Sequence, residues 1–135
     1  MVNQQFAFAV HILAMLAYAG EVLDSRTIAA SVNTNPVVVR RLLVALRKAG
    51  LVRTVSGKNG GSTLAKAPKR TSLLEIFDAV RPRPAIVVND RNVLRKCPVS
   101  CCMKGIMVEV SQQAAHAMRQ QLRGITLDKV VRKIR

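Results

Sequence analysis

Three cysteines lie close together in the second half of the chain, and they are the residues with the most distinctive chemistry. Cys97, Cys101 and Cys102 fall within the segment "CPVSCCMKG", and the chain has no other cysteine. An odd number of clustered cysteines does not make the disulfide framework of a secreted protein. Their number and placement therefore favour a reducing cytoplasm.

The surroundings of these thiols favour the reactive thiolate form. The sequence predicts Cys101 and Cys102 at the N-terminus of a helix, and the bases near the group are Arg95, Lys96 and Lys104. Both features stabilise a thiolate and raise its reactivity toward oxidants. One hypothesis is therefore a redox switch through disulfide formation. The alternative is that the three thiols are structural and unreactive, and the sequence leaves both open.

The second group with a clear chemical implication is the set of basic residues. Lys and Arg number 22 against 7 Asp and Glu, so the formal charge of the 135-residue chain is +15. Between Asp24 and Glu75 there is no acid and there are ten bases. A solvated surface normally mixes both signs. This excess predicts a polyanionic partner, which could be DNA, RNA or an anionic membrane.

The elements that must position these bases can be predicted from the apolar pattern. Residues 3–19 form an apolar helix ended by Gly20, and its segment 6–19 is too short to span a membrane. Ser25 caps a second helix, and Asn35 with Pro36 opens a third that ends at Gly50. Its inward stripe is Val39, Leu42, Leu43 and Leu46. The segments 51–55 and 62–65 predict a β-hairpin around "SGKNGG".

This order of elements predicts a mainly α fold with a small β-hairpin wing, which is a winged helix-turn-helix. The third helix is then the recognition helix, with a buried stripe on one side and basic side chains on the other. The candidate DNA-binding residues are Arg26, Thr34, Asn35, Val37, Arg40, Arg41, Arg47, Lys48, Lys58, Asn59 and Gly60. An ordinary solvated face is the alternative for these bases taken singly. The combination of capped helix, wing and absent acids favours DNA.

A long helix is expected after the cysteines, from about residue 101 to residue 122. Its apolar seam has alternating spacings of four and three, typical of a helix that packs against another helix. The seam residues are Met103, Met107, Val110, Ala114, Ala117 and Gln121. The spacing alone does not distinguish packing within the chain from packing between two chains. The predicted domains are 1–81 for DNA binding, 82–100 for a sensor or linker loop, and 101–135 for dimerisation.

Four segments together resemble the Rrf2 family of bacterial winged helix-turn-helix transcriptional regulators. They are "FAFAVHILAMLA", "IAASVNTNPVVVRRLLVALRKAGLV", "GKNGGSTLAK" and "SLLEIFDAV". The resemblance implies a homodimer that binds a palindromic operator on double-stranded DNA, with the long C-terminal helix crossing its partner's. It also implies a possible iron-sulfur cluster, because some members hold one through three cysteines in this loop.

The cysteine spacing here departs from that of the cluster-containing members. Cys97 and Cys101 have three residues between them, Cys101 and Cys102 have none, and the family's spacing is wider and more even. No cofactor is therefore favoured, although a cluster through the three thiols stays an alternative.

The function predicted from the sequence is a sequence-specific transcriptional repressor in the cytoplasm, with no membrane partner. A redox response through its cysteines is one hypothesis for its regulation, and unreactive thiols are the alternative. The competing hypotheses are a basic RNA-binding or ribosome-associated protein and an iron-sulfur or metal-sensing regulator. An enzyme is not expected, because no nucleophile, base and orienting acid occur together.

Overall fold

The computed structural model describes residues 4–134, and they form two compact units. The first unit comprises residues up to 82 together with those from 122 onward, and the second comprises residues 83–121. The helices and strands, in chain order, are α1 Gln5–Ala19, α2 Ser25–Val32, α3 Pro36–Lys48, β1 Val52–Val55, β2 Gly61–Leu64, α4 Leu73–Val80, α5 Pro98–Arg123 and α6 Leu127–Arg132. A single 3-10 turn, Pro68–Arg70, precedes α4.

The first unit is a winged helix-turn-helix, as predicted. Its core is aliphatic, and the large side chains with no exposed surface include Ile12 and Leu13 of α1, Ile28 of α2, Leu46 of α3 and Ile76 of α4. β1 and β2 pair antiparallel in a two-stranded sheet, with Val52 opposite Leu64 and Val55 opposite Gly61. The hairpin follows directly from the end of α3, so its position is tied to that helix.

Helix ends are set by the residues that favour them, with one correction. Gly20 ends α1 in the left-handed conformation with φ +66°, as predicted. The cap of α2 is Asp24 rather than Ser25, because the Asp24 Oδ1 accepts the backbone N–H of Thr27 at 2.7 Å. Ser25 is instead the first helical residue, which leaves its hydroxyl available for another contact.

The C-terminal segment belongs to the first unit, whereas the sequence grouped it with the dimerisation helix. The backbone N–H of Leu73 donates to the carbonyl of Ile125, and the N–H of Leu127 donates to the carbonyl of Thr71, both at 2.8 Å. Leu127 and Val131 of α6 are buried in the core. The chain therefore leaves the first unit after residue 82 and belongs to it again from residue 122.

The second unit consists of an irregular segment, residues 83–97, and most of α5. The Ser111 hydroxyl donates to the carbonyl of Ile86 at 3.4 Å, and the N–H of Leu94 donates to the Ser100 Oγ at 2.8 Å. The helix begins at Pro98, three residues before the predicted start at Cys101. Within residues 4–134, no helix is both long and apolar enough to cross a membrane.

Candidate nucleic-acid interface

The start of α3 is determined by two adjacent residues, as the sequence predicted. The Asn35 Oδ1 accepts the backbone N–H of Val37 at 2.9 Å, and Pro36 occupies the first helical position, where no N–H is needed. The start of a helix sets the angular position of every later residue. This cap therefore determines which side chains of α3 lie inside and which lie outside.

The two faces of α3 are cleanly separated. Val39, Leu42 and Leu46 are buried in the core, and Leu43 is half-buried against it. The exposed side chains are Val37, Arg40, Arg41, Val44, Arg47 and Lys48. Val37 keeps 50% of its surface exposed although it is apolar. An exposed face with four bases, an apolar residue near the helix start and no acid has the composition of a helix that enters a major groove.

Arg40 is held by α2. Its Nε donates to the Oγ of Ser25 at 3.3 Å, so the guanidinium is oriented from the neighbouring helix while its terminal nitrogens are left for a ligand. Arg26 is exposed at the start of the same α2. Two other candidates are less available to a ligand: Thr34 is half-buried in the turn, and the Asn35 side-chain oxygen accepts the capping bond.

The wing places two polar residues at its tip. Lys58 and Asn59 are both exposed. The N–H of Gly60 donates to the carbonyl of Gly57 at 3.1 Å, and a Cβ at Gly60 would collide with the carbonyl oxygen of Val55. Gly60 is therefore explained by the turn itself.

The base of the wing is joined to the chain before α2. The N–H of Ser62 donates to the carbonyl of Leu23 at 2.8 Å, and the N–H of Leu23 donates to the carbonyl of Ser62 at 3.0 Å. These bonds add Leu23 to the edge of β2. The wing, the start of α2 and α3 are consequently parts of one packed unit.

Sequence reasoning assigned no role to Lys66, which has one in the structure. Its Nζ lies 2.7 Å from the Oε1 of Glu75, and both line an open cleft of about 770 Å³ between α3 and α4, beside Arg41 and Lys48. Ser72 caps α4, since its Oγ accepts the backbone N–H of Glu75 at 3.2 Å. The carboxylate of Glu75, however, bonds to Lys66. The pair joins two different parts of the fold, and in the sequence Lys66 is only one of the ten bases that precede Glu75.

The three cysteines do not meet as a ligand set. Cys97 is half-buried, Cys101 and Cys102 are exposed, and all three are free thiols. The Cys101 Sγ lies 3.2 Å from the carbonyl oxygen of Arg95, to which its S–H donates. Throughout residues 4–134, no three His, Cys, Asp or Glu side chains are grouped as a metal site. The donor arrangement therefore does not fit an iron-sulfur cluster, whose ligands must converge on one point.

Helix α5 buries none of its 26 residues. An apolar stripe runs along its first half and consists of Val99, Met103, Ile106 and Val110, each more than a third exposed. Met107 is half-buried and lines a cavity with the segment before the helix. The stripe overlaps the predicted seam at Met103 and Val110 and adds Ile106, which the heptad spacing had omitted. Ala114, Ala117 and Gln121 are also exposed.

Comparison with known proteins agrees with this architecture. The model of the Rrf2 family, described as an iron-dependent transcriptional regulator, matches residues 2–133. The Bacillus subtilis (strain 168) protein YwnA, named as an HTH-type transcriptional regulator, is 37% identical over 131 residues, which are 97% of each chain.

Solved structures share the fold over the same length. A crystal structure described as that of a DNA binding protein is 35% identical, with a TM-score of 0.73 over 93% of this chain and 97% of that one. The IscR of T. potens is 20% identical, with a TM-score of 0.74 over 100% of this chain and 88% of that one. At that identity the likeness to IscR concerns the fold alone.

Proposed function

Because the chain belongs to the Rrf2 family of transcriptional regulators, we propose that it is a homodimeric repressor that recognises a palindromic operator in bacterial DNA. The observation that carries the proposal is the exposed face of α3, which is capped at Asn35, basic along its length and free of acids. Such a repressor acts by binding and not by catalysis, in the cytoplasm where the chromosome lies.

The proposed roles of the α3 residues follow from their position on the helix. Val37, Arg40 and Arg41 lie in its first two turns, where recognition helices contact base edges. An Arg bonds guanine through two nitrogens, and an exposed valine can contact the thymine methyl. Arg47 and Lys48 lie at the far end of the helix and are assigned to phosphates. Lys58 and Asn59 at the wing tip are assigned to the backbone or the minor groove.

The dimer is proposed from α5. A long helix with no buried residue and a continuous apolar stripe leaves more hydrophobic surface in water than a stable monomer normally does. A second copy of α5 would cover this stripe. The two helices would then pack through the alternating spacings of four and three found in the sequence. In a dimer, two recognition helices would enter major grooves about one helical turn, ~34 Å, apart or a multiple of that.

Binding-site selection on random duplex DNA tests the proposal. The expected result is an enriched palindrome whose two halves are separated by whole helical turns. A single enriched half-site would support sequence-specific DNA binding but contradict binding as a dimer. Enrichment of no sequence would overturn the proposal and favour the RNA-binding alternative, which a competition between duplex DNA and structured RNA distinguishes. Salt dependence of binding does not distinguish DNA from RNA, because both partners carry phosphates.

A redox response is proposed as the regulatory part of this function. The exposure of Cys101 and Cys102 makes their thiols accessible to oxidants and thiol reagents. Operator affinity should therefore differ between reduced protein and protein treated with a mild oxidant. When the responsible cysteine is replaced by serine, the oxidant should no longer change the operator affinity. Equal operator affinity in both states would contradict the thiol switch but not the proposed repressor function.

A further inference from the structure

The second unit contains a cavity that the DNA-binding function does not use. It has a volume of about 290 Å³ and lies between the segment of residues 88–93 and the first turns of α5. Its apolar walls are Val88, Val93 and Met107, together with Val99 and Met103, which also belong to the exposed stripe of α5. This volume is just below the range of about 300–1,000 Å³ for small-molecule sites, which are usually apolar with a few polar groups that orient the ligand, so it fits only a small ligand.

The charged groups of the cavity have one sign. Arg91 lines it from the preceding segment and Lys104 lines it from α5, with Asn89, Asn92, Cys97 and Ser100 as neutral groups. No Asp or Glu of residues 4–134 is among the lining residues. A ligand inside would therefore meet two cations, hydrogen-bond donors and an apolar wall, without a carboxylate to neutralise the cations.

The wall that carries Arg91 is held in place by local bonds. The backbone N–H of Arg91 donates to the Asn89 Oδ1 at 3.0 Å, and the Ser100 Oγ accepts the N–H of Leu94 at 2.8 Å. Ser111 bonds to the carbonyl of Ile86 at the far end of the segment. The bonds to Ser100 and Ser111 connect the segment to α5 at two points, so the cavity is part of the folded unit.

We propose that this cavity binds a small organic anion, specifically a monocarboxylate with an apolar body of on the order of ten non-hydrogen atoms. The carboxylate lies between Arg91 and Lys104, and the apolar body lies against the valines and the two methionines. A neutral molecule of the same shape forfeits the two charge-assisted bonds, and a cation is repelled.

The test uses three probes of one shape: 4-fluorobenzoate, 4-fluorobenzyl alcohol and 4-fluorobenzylamine, each titrated with the full chain and followed by fluorine NMR. The benzoate alone should bind. R91Q and K104Q should each weaken its binding about tenfold, which corresponds to the loss of about 1.4 kcal/mol from one charge-assisted hydrogen bond. R95Q and K96Q remove the same charge from neighbouring residues that do not line the cavity. They should leave binding unchanged.

Two outcomes would overturn the proposal. If all four variants weaken binding equally, the benzoate is attracted by the net charge of +15 and not by this site. If the alcohol binds as well as the benzoate, the cavity selects apolar bodies without regard to charge. Circular dichroism on each variant confirms that α5 has formed. The binding is measured without DNA, so the result does not depend on the proposed operator.

Discussion

The Nε of Arg40 lies 3.3 Å from the Oγ of Ser25, which joins the recognition helix to the first residue of the preceding helix. This bond restricts the guanidinium before DNA arrives. We therefore expect S25A to weaken operator binding by about 0.5–1.5 kcal/mol, the usual contribution of one hydrogen bond, with little effect on random DNA. Fluorescence anisotropy with both duplexes measures it. S31A is the matched control, because Ser31 bonds to His11 on the other side of α2. An equal loss in both variants would contradict the orienting role.

Arg41 and Lys58 should respond differently to removal, because one is assigned to a base and the other to the backbone. R41A should cost about 1–3 kcal/mol on the operator and relax preference at one position of each half-site. K58A should weaken all duplexes equally and reduce the salt dependence by about one ion. Titrations at three salt concentrations with operator and mutated duplexes separate the two. A uniform loss in R41A would reassign Arg41 to a phosphate.

Val110 tests the assembly, because it lies within the exposed stripe of α5 and is 41% exposed in the single chain. V110E should give a monomer at micromolar concentration, since an unpaired carboxylate in an apolar interface is strongly unfavourable. Analytical ultracentrifugation gives the mass. Q112E adds the same charge two positions away, where a helical residue faces another direction, and should remain dimeric. A dimeric V110E would place the interface on another surface.

Two glycines should respond oppositely to alanine. A Cβ at Gly61 would collide with the carbonyl oxygen of Leu23, so G61A should lower the free energy of unfolding by about 1–3 kcal/mol. A Cβ at Gly105, inside α5, meets nothing within 4 Å. G105A should therefore raise stability by about 0.5–1 kcal/mol. Denaturant titration measures both, and a stabilised G61A would show that the wing does not pack against Leu23 in solution.

The parts of the fold that were predictable are those encoded by neighbouring residues. Asn35 and Pro36 predicted the start of α3, and Gly20 predicted the end of α1, because a cap depends on a few adjacent groups. The Lys66 and Glu75 pair was not predictable, since it depends on the tertiary fold, which brings the segment after β2 to α4. The predicted start of α5 at about residue 101 is three residues late. The helix begins at Pro98, because proline suits a first helical position, where its missing N–H is not needed.

Asp24 makes the stability of the α2 cap depend on pH. The backbone N–H of Thr27 donates to its carboxylate and lowers the pKa of that group below its ordinary value. Folding then favours the deprotonated form, so the native state binds fewer protons than the unfolded chain. The stabilisation is complete above the unfolded pKa and is lost as pH falls through the lower folded pKa.

D24N isolates this charge, because asparagine keeps the capping oxygen without the carboxylate. The wild type should melt at a higher temperature than D24N at neutral pH, and the difference should shrink once the pH falls below the ordinary pKa of an aspartate. Thermal unfolding between neutral pH and the acid range measures it. D24A removes the oxygen as well and should be less stable than the wild type throughout that range. A difference between wild type and D24N that does not change with pH would show that the cap acts through its hydrogen bond alone.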